Sequence, residues 1–277
     1  VWAAQPNAPV TPLASVVELD LDGDELVGVE RGPGENRIGM VAWDLRLRTP
    51  ECPDGRPLLL IANDMTTQAG SFGPLEDKFF AAVSRHARAT GTPLLYVSSN
   101  SGARIGIALE PLGLFRVKFV DNDPTRGFEY LYLDDMGAAT LEASSPGCVA
   151  TAAREGDDGT THHVITDIIG GSRDGLGVEC LSGSGLIAGE MSRAREAVFT
   201  TTIITGRSVG IGAYLARLGA RVIQVDTSPM ILTGYQALNK LLGREVYSSN
   251  LQLGGPQIMH RNGVAHVTVP SDADAFS

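Results

Sequence analysis

Cysteine is scarce in this sequence: three in 277 residues, at positions 52, 148 and 180. An odd, widely spaced set without a Cys-x-x-Cys pair excludes a disulfide framework and a structural zinc ribbon. It reads as buried or inert thiols in a reducing compartment. Long apolar runs are missing as well. The longest, Leu58-Leu59-Leu60-Ile61-Ala62, is far below the roughly 20 residues of a membrane-spanning helix. The start, Val1-Trp2-Ala3-Ala4-Gln5-Pro6, lacks a basic segment followed by an apolar one, so no signal peptide is read. An initiator Met is also absent, which suggests a processed chain or a piece of a longer one. Basic residues are in the minority, 22 Lys and Arg against 32 Asp and Glu, for a net charge of −10. That balance argues against a broad nucleic-acid footprint. A polyanionic ligand has to be held by local arginines or helix N-termini instead. His162, His163, His260 and His266 lack metal-ligand spacing with one another, and surface or core roles suit them better.

What is present is an ordinary globular balance, 43% hydrophobic and 19% charged, with enough apolar material for a sizeable core. After a Pro- and Ala-rich lead-in, Val16–Leu21 and Glu25–Val29 alternate around Asp22-Gly23-Asp24 and read as a hairpin. Strands are expected over 38–47, 57–61 and 93–97. A helix over 75–89 opens at Pro74, with Glu76 and Asp77 suited to its positive N-terminal dipole, and Gly91 and Pro93 end it. A short helix is expected near 105–110. Residues 121–163 are the least readable, and 144–159 are polar enough to be a mobile loop. Then come a strand at 164–169, a turn-rich connection at 170–177, a helix over 183–199, and a β-branched strand at 200–205. A helix follows to Leu218, a strand at 221–225, and a helix over 236–242 capped by Gly243. Strands alternating with helices imply βαβ units and a largely parallel sheet, and no linker divides the chain.

The stretch Thr205-Gly-Arg-Ser-Val-Gly-Ile-Gly212, with Asp226 ending the next strand, imitates a dinucleotide fingerprint. Two facts oppose that reading. A dinucleotide fold begins with its motif, whereas here about two hundred residues precede it and about seventy follow. A Tyr-x-x-x-Lys pair is also missing, because Tyr235 is followed four places on by Asn239 and Tyr247 by Leu251. What the motif offers is a helix N-terminus with free amides. Val209, Gly210, Ile211 and Gly212 are placed to donate toward an oxyanion, and the Ser98–Gly102 loop can bring a second donor from a neighbouring strand end. There is no Ser/His/Asp set, no pair of catalytic carboxylates and no metal cluster, so positioning and charge stabilisation are the chemistry on offer.

The order of blocks carries a resemblance. They are Asn36-Arg-Ile-Gly-Met-Val-Ala-Trp43, Ala62-Asn-Asp-Met-Thr66, Gly70-Ser-Phe-Gly-Pro74 and Ser99-Asn-Ser-Gly-Ala-Arg-Ile-Gly106. Gly127-Phe-Glu-Tyr-Leu-Tyr-Leu133, Ile165-Thr-Asp-Ile-Ile-Gly170 and Gly177-Val-Glu-Cys-Leu181 continue it. The run Gly185–Gly189, the Arg207–Tyr214 motif, Leu242-Gly-Arg-Glu-Val-Tyr247 and Asn250-Leu-Gln-Leu-Gly-Gly255 complete it. From about residue 25 onward, the chain resembles the N-terminal half of the carboxyltransferase region of eukaryotic-type multidomain acetyl-CoA carboxylases. Residues 1–24 are then an extended lead-in and the start of the hairpin, and 25–277 the N-terminal subdomain.

The resemblance implies an α/β crotonase-type fold of stacked ββα units. It implies carboxyl transfer from carboxybiotin to acetyl-CoA, giving malonyl-CoA for fatty acid synthesis. By carry-over, the backbone N–H groups of Ser99 and Ile211 form the oxyanion hole, and Gly210 and Gly212 permit close approach. Arg207 assists CoA binding, Tyr214 lines the cavity beside it, and Arg104 follows a Ser-Gly loop from which it can reach a phosphate. No metal is implied. Biotin arrives on a carrier domain and is not attached to this chain, which lacks the Met-Lys-Met sequence. The implied partners are the C-terminal carboxyltransferase half, the biotin carboxyl carrier domain and a second copy of the complete enzyme, in the cytoplasm or plastid stroma. Neither nucleic acid nor membrane is implied. Alone, the chain is expected to be inert. The alternatives are a longer substrate such as propionyl-CoA, or a non-catalytic CoA-binding assembly module. Three places depart from the family: Ser98-Ser99 replaces a common Ala pair, Ser182 stands where a basic residue is frequent, and 144–160 match poorly.

Overall fold

Alternating residues at the start of the computed structural model, which describes residues 14–157, 159–171, 176 and 180–277, form an antiparallel hairpin. Its strands are β1 (Ala14–Asp22) and β2 (Glu25–Val29), with Asp22 opposite Glu25 and Gly23 at φ 65° in the turn. The expected lead-in and Gly177-Val178-Glu179 lie outside the described residues. β3 (Met40–Thr49) and β4 (Cys52–Asn63) make a second hairpin, running from Met40 opposite Asn63 to Thr49 opposite Cys52. β3 also pairs antiparallel with β1.

Helix α1 (Pro74–Thr90) follows. Proline heads it, Glu76 and Asp77 occupy its first turn, and Phe79, Phe80, Val83 and Ala87 are buried at helical spacing. It returns the chain to β5 (Leu94–Ser98), parallel to β4 with Leu59 opposite Leu94.

The chain then builds a second compact unit, Ala103–Leu181 together with Gly73–Leu75, inserted between the parts of the first. It contains α2 (Leu109–Leu112), β6 (Arg116–Phe119), β7 (Phe128–Leu133), α3 (Asp135–Ser144), β8 (Val149–Glu155) and β9 (Thr161–Ile168). The four strands form an antiparallel sheet in the order β6-β7-β9-β8. Leu133, Leu141, Cys148 and Ala108 form its core, packed by Leu114, Phe115, Val149 and Ile165. Asp134 caps α3 by accepting from the Gly137 amide at 2.7 Å. Two expectations are corrected here. Much of 144–159 is not a loop, because Val149–Glu155 is an edge strand of this sheet. Its outward residues give it no apolar alternation to read. The short helix lies at 109–112 rather than 105–110.

The first unit resumes with α4 (Leu181–Ala197), β10 (Thr200–Ile204), β11 (Ser208–Val209), α5 (Ile211–Leu218), β12 (Arg221–Val225), β13 (Met230–Ile231) and α6 (Tyr235–Leu242). It ends with α7 (Leu251–Gly254), α8 (Pro256–Met259), β14 (Val267–Val269) and α9 (Asp272–Ala275). Its eight-stranded sheet has the order β14-β12-β10-β5-β4-β3-β1-β2. The five strands from β14 to β4 are parallel, and the three beyond are antiparallel. The sheet is therefore only partly parallel, because two hairpins precede the first crossover helix. β11 and β13 pair in a small second sheet, so β10-β11-α5 and β12-β13-α6 are successive ββα units.

On one face of the large sheet, Met40, Ala42, Leu59, Ile61, Leu94 and Tyr96 pack against Phe79, Phe80 and Val83 of α1 and Ile187 and Met191 of α4. Full burial of side chains of this size stabilises by about 1.5–3 kcal/mol each. On the other face, Ile203 and Val225 pack with Ala275 of α9. Among the described residues, no helix is long and apolar enough to cross a membrane.

Candidate functional site

β5 and β10 are neighbouring parallel strands, in register from Leu94 opposite Thr200 to Ser98 opposite Ile204. Both end at the same edge of the sheet, where α/β folds bind their ligands. Their exits stay paired beyond the strands. The Thr205 amide donates to Ser98 O at 3.2 Å, and the Asn100 amide to Arg207 O at 2.8 Å. On the far side, the Phe72 amide donates to Gly102 O at 2.9 Å. The loop 99–102 is thus held between two pieces of backbone.

Accounting for the amides sharpens the donor set. Val209 N–H donates to Asn100 Oδ1 at 3.1 Å, and Gly210 N–H donates to Ile231 O at 2.9 Å. Both are engaged, so the expectation that Val209 and Gly210 supply oxyanion donors is corrected. The contribution of Gly210 is conformational. As N-cap of α5 it sits at φ 54°, ψ −118°, a region closed to side chains with a Cβ. Its carbonyl accepts from the amides of Ala213 and Tyr214. The amides of Ser99, Ile211 and Gly212 have no acceptor among the described residues. Two of them open α5, where the helix dipole adds positive potential.

Beneath these amides lies a buried polar cluster. Asn100 Oδ1 accepts from Gly102 N–H and Val209 N–H, each at 3.1 Å. Its Nδ2 faces Tyr96 Oη at 3.2 Å, Ser98 Oγ at 3.1 Å and Ser208 Oγ at 3.3 Å. Ser98 and Ser208 hydroxyls meet at 2.8 Å, and Tyr96 donates to Asn63 Oδ1 at 2.7 Å. Burial pushes the Tyr96 phenol well up, against the opposing hydrogen bonds of Ser98, Asn100 and Asn63. Gly212 fits here only without a side chain, since a Cβ would stand 2.1 Å from Asn100 Oδ1.

A cavity of about 710 Å³ opens beside Ser99 and Thr205, with Trp43, Asn63, Asp64 and Met65 in its wall. Asp64 is tied down there. Burial alone would raise its pKa, but hydrogen bonds from Thr66, Asn36 and Thr67 lower it to about 2. Arg31 closes the wall, paired with Glu18 at 2.7 Å and Asp20 at 2.5 Å. A separate apolar groove of about 490 Å³ runs along α5, lined by Tyr214, Met230, Leu232 and Leu253 among others.

The structure brings Ser99, Arg207, Gly210, Ile211 and Gly212 onto two facing loops. Arg207 is exposed, and its guanidinium meets no hydrogen-bond or ion-pair partner among the described residues. Tyr214 is one turn into α5 and 56% exposed, so it borders the apolar groove rather than the core. Arg104 lies in the second compact unit, where its carbonyl accepts from the Cys180 amide at 3.2 Å. Asn100, Trp43 and Asp64 were not singled out from the sequence. For Asn100 a signal existed: an Asn two residues before a Gly, just past a strand, favours a side-chain bond to the backbone ahead of it.

The likeness to a dinucleotide turn is resolved by β11. A dinucleotide turn passes from strand directly to helix, whereas here β11 and the Gly210 cap stand between β10 and α5. Among the described residues, no group of three or more His, Cys, Asp or Glu is arranged to hold a metal ion.

Residues 50–277 match the model of the carboxyl transferase domain family. The chain is 50% identical over 283 residues to acetyl-CoA carboxylase of Schizosaccharomyces pombe, covering 100% of this chain and 12% of that protein. To acetyl-CoA carboxylase of Saccharomyces cerevisiae it is 54% identical over 255 residues, covering 92% of this chain and 11% of the relative. The chain therefore spans 11–12% of the length of these curated relatives. Among solved structures, transcarboxylase 12S with methylmalonyl-coenzyme A and methylmalonic acid bound is similar at a TM-score of 0.51 and 19% identity. That likeness covers 84% of this chain and 31% of the other, and it is a likeness of fold. The ββα units described above are the stacked units of a crotonase-type α/β fold.

Proposed function

The chain belongs to the carboxyl transferase domain family, and from that premise we propose that it is the acyl-CoA-binding half of a biotin-dependent carboxyltransferase acting on acetyl-CoA. One observation carries the reading. Two loops from adjacent parallel strands present the amides of Ser99, Ile211 and Gly212 without acceptors among the described residues, two of them at the N-terminus of an eight-residue helix. When the methyl group of a bound acetyl thioester loses a proton, negative charge builds on the thioester oxygen. Amides already fixed in place stabilise that charge without reorganising, and each such donor contributes up to a few kcal/mol. Ser99 N–H from one crossover and Ile211 N–H from the next would be the pair, with Gly212 leaving room at the helix start.

Carboxybiotin, when bound, supplies both the carboxyl group and the proton acceptor, so this half has no need of a strong base of its own. Arg207 is suited to a CoA phosphate: it is exposed, unpaired among the described residues and two positions beyond Thr205, at the rim of the site. The cavity beside Ser99 has the volume to take a substantial part of the ligand. Tyr214 borders the apolar groove that runs along α5. The relatives named acetyl-CoA carboxylase are about eight times longer than this chain. That supports partners elsewhere in the complete protein: a second carboxyltransferase half, a biotin carrier and a second copy.

Calorimetric titration with acetyl-CoA tests the reading. Binding is expected, weakened roughly tenfold or more in Arg207→Ala by loss of a charge-assisted contact, with no heat from NADP. Heat from NADP, or acetyl-CoA binding indifferent to the substitution, would overturn the assignment.

A further inference from the structure

We propose that Asn100 is a positioning residue that sets the separation of the two amide donors, acting through Val209 and Gly212; this rests on the carboxyltransferase reading above. Two donors aimed at one oxygen must be held to about half an ångström, yet Ser99 and Ile211 belong to different crossovers. The backbone ladder joins those crossovers at Ser98 with Thr205 and at Asn100 with Arg207. It stops short of the start of α5. Past that point the crossovers are joined by side chains: the Ser98 and Ser208 hydroxyls at 2.8 Å and, nearest α5, the Asn100 carboxamide.

Asn100 is fully buried, and its carboxamide is used at both ends. Oδ1 closes its own loop on Gly102 N–H and reaches across to Val209 N–H, two residues before Ile211. The amide orientation follows from the partners: two N–H donors face one end and three hydroxyl oxygens the other, so the reversed amide would set NH₂ against N–H. Gly212 rests directly on Oδ1, because even a Cβ there would stand 2.1 Å away. The first turn of α5 is thus seated on a side chain whose own backbone adjoins Ser99. Aspartate would match the shape but place a charge beside the developing anion, and alanine would remove the contact between loops.

The first measurement needs no substitution. In hydrogen exchange on the 277-residue chain, Val209 and Gly102 amides are protected while Ser99 and Ile211 amides exchange rapidly. Val209 exchanging as fast as Ile211 would sink the proposal. The second uses the full-length enzyme bearing this sequence, assayed for malonyl-CoA formation. Asn100→Ala lowers kcat roughly 100-fold with KM for acetyl-CoA nearly unchanged, as expected for misplaced transition-state donors. Ser84→Ala, which removes a buried hydroxyl bonded to the Glu190 carbonyl away from both loops, keeps kcat within about threefold. Equal losses in the two variants, or a change in KM alone, would reduce Asn100 to ordinary packing. Absence of carboxyl transfer in the unsubstituted enzyme would refute the functional reading instead, and the exchange pattern would still judge the clamp.

Discussion

At the scale of single residues, Asp64 shows how the cavity wall is held. Its Oδ1 accepts from Thr66 N–H at 2.9 Å and Thr66 Oγ1 at 2.6 Å, and its Oδ2 from Asn36 at 2.8 Å and Thr67 at 3.1 Å. Those bonds prevail over burial and bring the pKa from 3.8 to about 2. A depressed pKa means the folded state prefers the ionised form. The stabilisation is therefore complete above pH 3.8 and is lost as pH falls toward 2. It amounts to about 2 kcal/mol at most. Stability measured by denaturant between pH 5 and 2 should fall more steeply in the unsubstituted chain than in Asp64→Asn, whose curve lacks this component. Identical slopes would contradict the assignment. Residue types at this scale were unevenly legible. The exits of the two strands were legible as loops with free amides, whereas Ser99 and Ile211 within them came only from the family resemblance. Asn100 carried a local signal for its bond to the Gly102 amide, but its contact with Val209, 109 positions along the chain, has no signature in the sequence.

At the scale of elements, the connection β11–Gly210–α5 decides what the site is. Only a residue free of Cβ strain can turn the chain from β11 into the helix at φ 54°, ψ −118°. Gly210→Ala should cost about 1–3 kcal/mol in chemical denaturation with an unchanged slope, and should shift the Ile211 amide resonance. A neutral substitution would mean that the cap tolerates other conformations. Elements with strong local signals were legible. α1 has its proline start, acidic first turn and apolar spacing, and α6 ends at Gly243 with φ 65° as expected. The hairpin of β1 and β2 was equally clear. β8 was not, because an edge strand with outward Ala, Thr and Arg carries no burial pattern. β11 and β13 escaped notice because two-residue strands owe their existence to pairing with each other.

At the scale of the molecule, the crotonase-type class was carried by the order of the sequence blocks, not by periodicity. Local alternation overstated the parallel character of the sheet, since hairpin partners and crossover strands look alike until pairing is known. It also did not mark the inserted unit, whose ends show no compositional break. At this scale the proposal is that the chain, as one half of a carboxyltransferase, would present the amides of Ser99, Ile211 and Gly212 to an acyl-CoA. The most direct test is amide NMR of the ¹⁵N-labelled chain titrated with acetyl-CoA, with NADP as control. The Ser99, Ile211 and Gly212 resonances are expected to move most on adding acetyl-CoA, Val209 and Gly210 to move less, and all five to stay in place with NADP. Acetyl-CoA shifts that bypass these three amides, or an NADP response at Gly210 and Gly212, would contradict the proposal.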